Sequence, residues 1–137
     1  ALISEEKAKE LGLNPEFRIV GHGSAAHAPE WFTTAPVKAM KKVFSKTGFN
    51  SENIELFEIN EAFSAVTMAA IKEFDLDPKQ VNINGGAVSL GHPIGASGSR
   101  ILITLMNAMS NKNVKTGMAS ICIGGGEASA IIVERDA

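Results

Sequence analysis

The chain has 137 residues, of which 45% are hydrophobic and 20% charged, and these proportions are typical of one soluble globular domain. Its net charge of −2 gives no general attraction to nucleic acid or to an anionic membrane, and no apolar run reaches the roughly 18 residues of a membrane span. A single cysteine excludes an internal disulfide and favours a reducing compartment, so the sequence predicts a cytoplasmic protein.

The first half of the chain predicts two helices and two strands. In chain order they are a helix over 4–10, a strand over 17–20, a helix over 36–46 and a strand over 54–59. Ser4 can cap the first helix and Gly12 can end it. Pro36 suits the first turn of the second helix, which Gly48 ends. The last strand is predicted because apolar and acidic residues alternate along it.

The second half predicts further elements at both helical and strand spacing. They are a helix over 61–74, a short strand over 81–83, a Gly-rich loop over 85–98, a helix over 97–111 and strands over 118–123 and 129–133. Phe63, Val66, Ala70 and Phe74 fall on one face of the first of these helices. The last two strands are apolar and joined by glycines, which predicts a buried hairpin.

The alternation of strands and helices predicts a layered α/β fold. The terminal hairpin makes its sheet mixed rather than purely parallel. Helices flanking both sides of the sheet account for strands that are apolar on both faces. No repeat or linker divides the chain, so the sequence predicts one domain over residues 1–137.

Three polar residues lie where an apolar run meets a Gly-rich or helix-opening turn: Asn60, His92 and Cys122. Glycine beside His92 and near Cys122 lets a ligand approach the backbone and exposes N–H donors. Strand ends of α/β sheets build clefts. We therefore expect the three side chains to converge on one cleft at the strand ends.

Each candidate also has a purely structural interpretation. Cys122 can be a small buried core residue, or a thiol base if its pKa is lowered, with the N–H of Gly124 as an oxyanion donor. His92 can be a loop histidine bonded to backbone, or an acid/base held in place by Pro93. Asn60 can be a helix N-cap, or the holder of a water or substrate.

Several common sites are absent from the sequence. The Gly-rich loop lacks the Lys-Ser/Thr of a P-loop, and no dinucleotide-binding Gly-x-Gly-x-x-Gly follows a strand. His22, His27, His92 and Cys122 lack zinc-ligand spacing, so no metal site is predicted. His22 and His27 are interpreted as loop residues.

Four motifs resemble, in family order, the C-terminal half of a thiolase (acetyl-CoA C-acyltransferase). They are Asn-Glu-Ala-Phe at 60–63, Asn-Gly-Gly-Ala at 84–87, Gly-His-Pro-Ile-Gly-Ala-Ser-Gly at 91–98 and Cys-Ile-Gly-Gly-Gly at 122–126. The resemblance implies one of two similar halves, each a mixed five-stranded sheet with helices. It further implies that residues 1–16 lead in from an N-terminal half, which in the family carries the nucleophilic cysteine and most of the coenzyme A site.

The resemblance also implies roles for the polar residues. His92 would activate the nucleophile and donate to a thioester oxygen, and Asn60 would hold a water that completes this oxyanion hole. Cys122, as a thiolate, would take the α-proton of a second acyl-CoA. The N–H of Gly124 would belong to a second oxyanion hole, used when the acyl-enzyme forms.

Substrate and partners follow from the same resemblance. Acyl-CoA is the expected substrate, no separate cofactor is needed, and a homo-oligomer containing the N-terminal half is expected. Phe63 would line the acyl pocket together with Phe32, whose stretch Phe-Thr-Thr-Ala-Pro departs from the Met-Gly-Thr-Gly-Pro of many biosynthetic members. Because this chain has one cysteine, the alternative is a non-catalytic thiolase-like module that binds acyl-CoA or a partner protein.

Overall fold

The computed structural model describes residues 1–135, which fold around a mixed four-stranded sheet. The strands are β1 (Phe17–Ala26), β2 (Leu56–Ile59), β3 (Thr116–Ile123) and β4 (Glu127–Arg135), and their order in the sheet is β1-β4-β3-β2. β4 pairs antiparallel with both β1 and β3, whereas β2 and β3 are parallel. The predicted mixed sheet and terminal hairpin are confirmed.

Residues 1–135 also form five α-helices: α1 (Glu5–Glu10), α2 (Ala35–Thr47), α3 (Ser64–Phe74), α4 (Ala87–Leu90) and α5 (Ile94–Lys112). Short 3-10 helices span Pro29–Thr34, Ser51–Asn53 and Pro78–Gln80. The hydroxyl of Ser4 accepts the N–H of Lys7, and Gly48 ends α2 in the left-handed region with φ of 78°, as predicted for both residues.

Two hydrophobic clusters lie on opposite faces of the sheet. The α2–α3 cluster includes Met40, Val43, Val66, Met118 and Ile132. The α5 cluster includes Leu56, Ile101, Leu105, Met109 and Ala119. Burying apolar side chains on both faces supplies the main driving force for folding. The two clusters confirm the predicted α/β layering, with helices on both sides of the sheet.

Strand β1 is longer than the sequence predicts, because its glycines extend the strand rather than end it. Gly21 and Gly23 pair with β4 in the sheet. A side chain at Gly21 would overlap the methyl group of Thr47 on α2, so the glycine lets helix and strand approach closely. His22 is consequently a strand residue, and its assignment to a loop was wrong.

The Gly-rich loop predicted over 85–98 is shorter than expected. It contains α4, and α5 begins at Ile94 rather than at Ser97. Gly95 and Gly98 lower helix propensity, which hides the start of α5 from sequence patterns. The strand predicted over 81–83 was wrong: Val81 forms a single bridge with Phe57, and Asn82 then turns the chain at φ of 49°.

The described sheet therefore has four strands, where the family resemblance implied five. Helix α3 begins at Ser64, three residues later than predicted, because Phe63 is extended with φ of −145°. Within residues 1–135, no helix combines the length and apolar character needed to cross a membrane.

Candidate active site

Asn60 and His92 meet at the end of β2. The N–H of Asn60 donates to the carbonyl oxygen of Ser120 at 2.9 Å, which ties this residue to β3. Its side chain is only 1% exposed, and its Nδ2 lies 3.5 Å from Nε2 of His92. Asn60 is not a helix N-cap, since Phe63 occupies that position of α3. The structural interpretation offered for Asn60 from sequence was therefore wrong.

The orientation of His92 is fixed by Ser97, a fully buried residue in the first turn of α5. Nδ1 of His92 lies 2.6 Å from Oγ of Ser97, and this hydroxyl donates its one proton to the carbonyl oxygen of Pro93 at 3.1 Å. In the tautomer that this assignment of the hydroxyl proton favours, Nδ1 carries the proton and the oxygen of Ser97 accepts it. This network leaves Nε2 with its lone pair, facing Asn60, and able to accept a proton.

Sequence reasoning missed Ser97. The available signal was its spacing: it lies four residues after Pro93, where a serine hydroxyl in a helix can bond back to the carbonyl of residue i−4. That position also places the hydroxyl of Ser97 beside the ring of His92.

The amide of Asn60 retains unused hydrogen-bonding capacity. Its Oδ1 is buried and has no hydrogen-bond partner within residues 1–135. A buried acceptor left unpaired costs about 1–3 kcal/mol, so this amide is suited to receive a polar ligand. The neighbouring Nε2 of His92 also accepts a proton, so the same spot is suited to a group that has protons to donate.

Cys122 lies at the same edge of the sheet, because β2 and β3 are parallel and it is the penultimate residue of β3. The residue is 8% exposed and belongs to the α2–α3 cluster, together with its partner Ala128 on β4. Burial raises the pKa of this thiol, which is opposite to the lowered pKa that the interpretation of Cys122 as a thiol base required. Among the described residues, no hydrogen bond joins Cys122 to Asn60 or His92, so their convergence on one cleft remains a prediction.

The hairpin turn after Cys122 is held rigidly. Gly124 is exposed and begins the three-residue turn that connects β3 to β4. A side chain at Gly126, where φ is 88°, would overlap the backbone oxygen of His27. The N–H of His27 also donates to the oxygen of Gly126 at 3.0 Å. The use of the Gly124 N–H as an oxyanion donor remains a prediction.

Phe32 and Phe63 form an aromatic pair, with ring centroids 6.0 Å apart and an interplanar angle of 67°. Phe63 is 60% exposed, whereas Phe32 is partly buried against the α2–α3 cluster that contains Cys122. The two residues predicted to line an acyl pocket thus make one apolar surface, and Phe63 lies three residues after Asn60 in the sequence.

An ion pair lies behind this site, between Glu58 on β2 and Arg100 on α5. Glu58 is 2% exposed, and its Oε2 lies 3.6 Å from Nη1 of Arg100. Burial raises the pKa of Glu58 to about 7, although Arg100 opposes this shift and Glu61 adds to it. The strand predicted over 54–59 is observed as β2, whose four residues are all buried. The described residues contain no group of three His, Cys, Asp or Glu arranged to hold a metal ion.

Comparison with known proteins places these residues in a family. Residues 13–135 match the profile described as thiolase, C-terminal domain. The chain belongs to the thiolase family. The mixed sheet, its helices and the order of the motifs agree with the resemblance that the sequence showed, although the described sheet has four strands rather than five.

Two solved thiolase structures have the same fold. The Bacillus anthracis acetyl-CoA acetyltransferase is 44% identical with a TM-score of 0.94, covering 98% of this chain and 34% of that one. The Acat5 thiolase from Ascaris suum in complex with coenzyme A is 48% identical with a TM-score of 0.91, covering 97% and 34%. Among curated proteins, a probable acetyl-CoA acetyltransferase of Dictyostelium discoideum is 51% identical over 134 residues, which are 98% of this chain and 32% of that protein. The chain therefore spans about a third of the length of the thiolases it matches.

Proposed function

We propose that this chain supplies the acid/base part of a thiolase active site, which transfers acyl groups between coenzyme A thioesters by reversible Claisen condensation. The observation that carries the proposal is the Asn60–His92 pair, held by Ser97 at the sheet edge where Cys122 also lies near the end of its strand. The nucleophilic cysteine would come from an N-terminal thiolase region, since Cys122 is the single cysteine of the 137 residues.

In the first half-reaction, Nε2 of His92 takes the thiol proton of that nucleophile, which attacks the thioester carbonyl. The N–H of Gly124 helps to stabilise the resulting oxyanion. When the tetrahedral intermediate collapses, the C–S bond to coenzyme A breaks and Cys122 gives its proton to the departing thiolate. The products are an acyl-enzyme, an imidazolium at His92 and a thiolate at Cys122.

In the second half-reaction, the Cys122 thiolate removes an α-proton from a second acyl-CoA. The protonated Nε2 of His92, with a water held by Asn60, stabilises the enolate oxygen. The enolate carbon then attacks the acyl-enzyme carbonyl and releases the nucleophilic thiolate, which recovers its proton from His92. All three groups return to their starting protonation states, as a catalytic cycle requires.

The raised pKa of Cys122 suits this order of events. A buried thiol remains protonated until a leaving thiolate can take its proton. Once formed, a thiolate whose conjugate thiol has a high pKa is a stronger base toward the weakly acidic α-carbon. The same burial that argues against a free thiolate thus favours proton abstraction within the cycle.

The surroundings of the site suggest its substrate and setting. Phe32 and Phe63 offer an apolar surface to an acyl chain. Coenzyme A thioesters are the substrates, so no separate cofactor is required. We further propose a cytoplasmic setting, in which the thiol of Cys122 stays reduced, and a homo-oligomeric enzyme.

A chimaera tests this function. The 137 residues replace the matched third of the Dictyostelium relative, and cleavage of acetoacetyl-CoA by coenzyme A is measured. We expect turnover, and a loss of about 10²–10⁴-fold for His92→Ala, because a positioned acid/base contributes that much. His22→Ala, on the exposed part of β1, is the control and should keep activity. A folded chimaera that binds coenzyme A without turnover would support the non-catalytic module instead.

A further inference from the structure

The carboxylate of Glu61 connects the end of β2 to the segment that carries His92, and the proposed mechanism does not use it. Its Oε1 accepts a hydrogen bond from Nδ2 of Asn82 at 3.0 Å. Its Oε2 accepts the backbone N–H of Val88, in the first turn of α4, at 3.1 Å. One side chain thus holds two points of the segment between β2 and α5.

Asn82 in turn prolongs the edge of β2 with its side chain. Its Oδ1 accepts the N–H of Ile59 at 2.8 Å, and its Nδ2 donates to the oxygen of Ile59 at 2.9 Å. Its backbone N–H donates to the oxygen of Phe57 at 2.8 Å. Both protons of Nδ2 are therefore used, one by Ile59 and one by Glu61. Asn60 lies between these two residues and is fixed on both sides.

Gly86 packs directly against the carboxylate of Glu61. A Cβ atom at Gly86 would overlap both oxygens of that group. The backbone of Gly86 has φ of −128° and ψ of −167°, which any residue can adopt. A side chain at this position would therefore have to displace the carboxylate of Glu61. From Gly86 the chain continues through α4 to Gly91 and then to His92.

We propose that Glu61 is a positioning residue that sets the distance between Asn60 and His92. The inference rests on the proposed function of those two residues. Glu61 adjoins Asn60 in the chain and holds α4, which ends directly before the Gly91–His92 step. The Nδ2–Nε2 separation of 3.5 Å depends on this connection. Loss of the carboxylate would let α4 and His92 move relative to β2.

A double-mutant cycle in the chimaera tests the contact. A misplacement of about 1 Å can cost about 100-fold in rate, so we expect Glu61→Ala and Gly86→Ala each to lower kcat by about that factor with little change in KM. The double variant should be no worse than Glu61→Ala alone, because the added methyl group then enters the space that the carboxylate leaves. Glu52→Gln, at an exposed glutamate, is the control for loss of charge.

The kinetic outcomes separate this inference from the proposed function. An inactive parent chimaera would count against the function, whereas an active parent with unchanged Glu61→Ala kinetics would overturn the positioning role. Equal and additive losses for Glu61→Ala and Gly86→Ala would also overturn it, because the two residues would then act independently.

Hydrogen exchange tests the contact without any need for activity. In Glu61→Ala, peptides covering 84–92 should exchange at least about tenfold faster, because the N–H of Val88 loses its acceptor. Peptides from β3 should exchange at the parent rate, which shows that the domain remains folded. Unchanged exchange over 84–92 would refute the proposal.

Discussion

Replacing Glu58 by Gln should change how the stability of this domain depends on pH. Glu58 is 2% exposed and lies in the layer between β2 and α5. Burial raises its pKa from 4.5 to about 7, and the nearby Arg100 only partly offsets this effect. Glutamine has nearly the same shape but cannot ionise, so it resembles the protonated form of Glu58 at every pH.

The raised pKa of Glu58 decides whether stability rises or falls with pH. Between pH 4.5 and about 7, Glu58 keeps its proton in the native state and loses it in the unfolded state. The unfolded state thus binds fewer protons, and stability falls as pH rises through this interval. At about 1.4 kcal/mol per pKa unit, the full change amounts to about 3 kcal/mol, present below the interval and lost above it.

Urea unfolding at pH 4 and pH 8 measures this change. The free energy of unfolding of Glu58→Gln, relative to the parent chain, should rise by about 3 kcal/mol from pH 4 to pH 8. Glu6→Gln removes the same charge from an exposed helix position and should show no such rise. Equal pH dependence of stability in the parent and in Glu58→Gln would refute the reasoning. A variant that is less stable than the parent at pH 8 but not at pH 4 would also refute it, because the change would then have the opposite sign.

Three further predictions concern the site and the surface. The 137-residue chain alone should not cleave acetoacetyl-CoA with coenzyme A, because it has no second cysteine to carry the acyl group; turnover near that of a complete thiolase would contradict this. In the chimaera, Ser97→Ala should lower kcat by about 10–100-fold, because the ring of His92 loses the acceptor that orients it. The control Ser99→Ala, at an exposed position of α5, should keep the parent rate in the same steady-state assay. The chain alone should self-associate through exposed apolar residues such as Leu90, Ile94 and Ile103, which are 60%, 84% and 58% exposed; sedimentation showing only monomer at high concentration would count against it.

The fold was largely predictable because most of its elements carry local signals. The N-cap at Ser4, the glycine that ends α2 at Gly48 and the apolar hairpin all obey rules of short range. The errors occur where contacts distant in sequence decide the structure. Gly21 lies in a strand because α2 packs against it, and Val81 fails to start a strand because Asn82 bonds to the end of β2 instead.

The proximity of Asn60 and His92 was predictable from the sequence, but the residues that hold them in place were not. Strand-end placement indicated Asn60 and His92, and the structure brings them together. Ser97 and Glu61 were missed as positioning residues, because a hydroxyl or carboxylate that bonds to a distant segment leaves no periodic pattern in the sequence. The direction of the Cys122 pKa was also beyond sequence reasoning, since it depends on burial in the α2–α3 cluster.

In the proposed mechanism, Cys122 removes the α-proton and His92 serves both half-reactions. The most direct test is deuterium exchange at the acetyl group of acetyl-CoA, measured in the chimaera beside single-turnover acylation of its nucleophile. In Cys122→Ser, exchange should slow by orders of magnitude, because a hydroxyl is far less acidic than a thiol, and acylation should fall less. Exchange at the parent rate in Cys122→Ser would show that Cys122 is a core residue and that another group is the base.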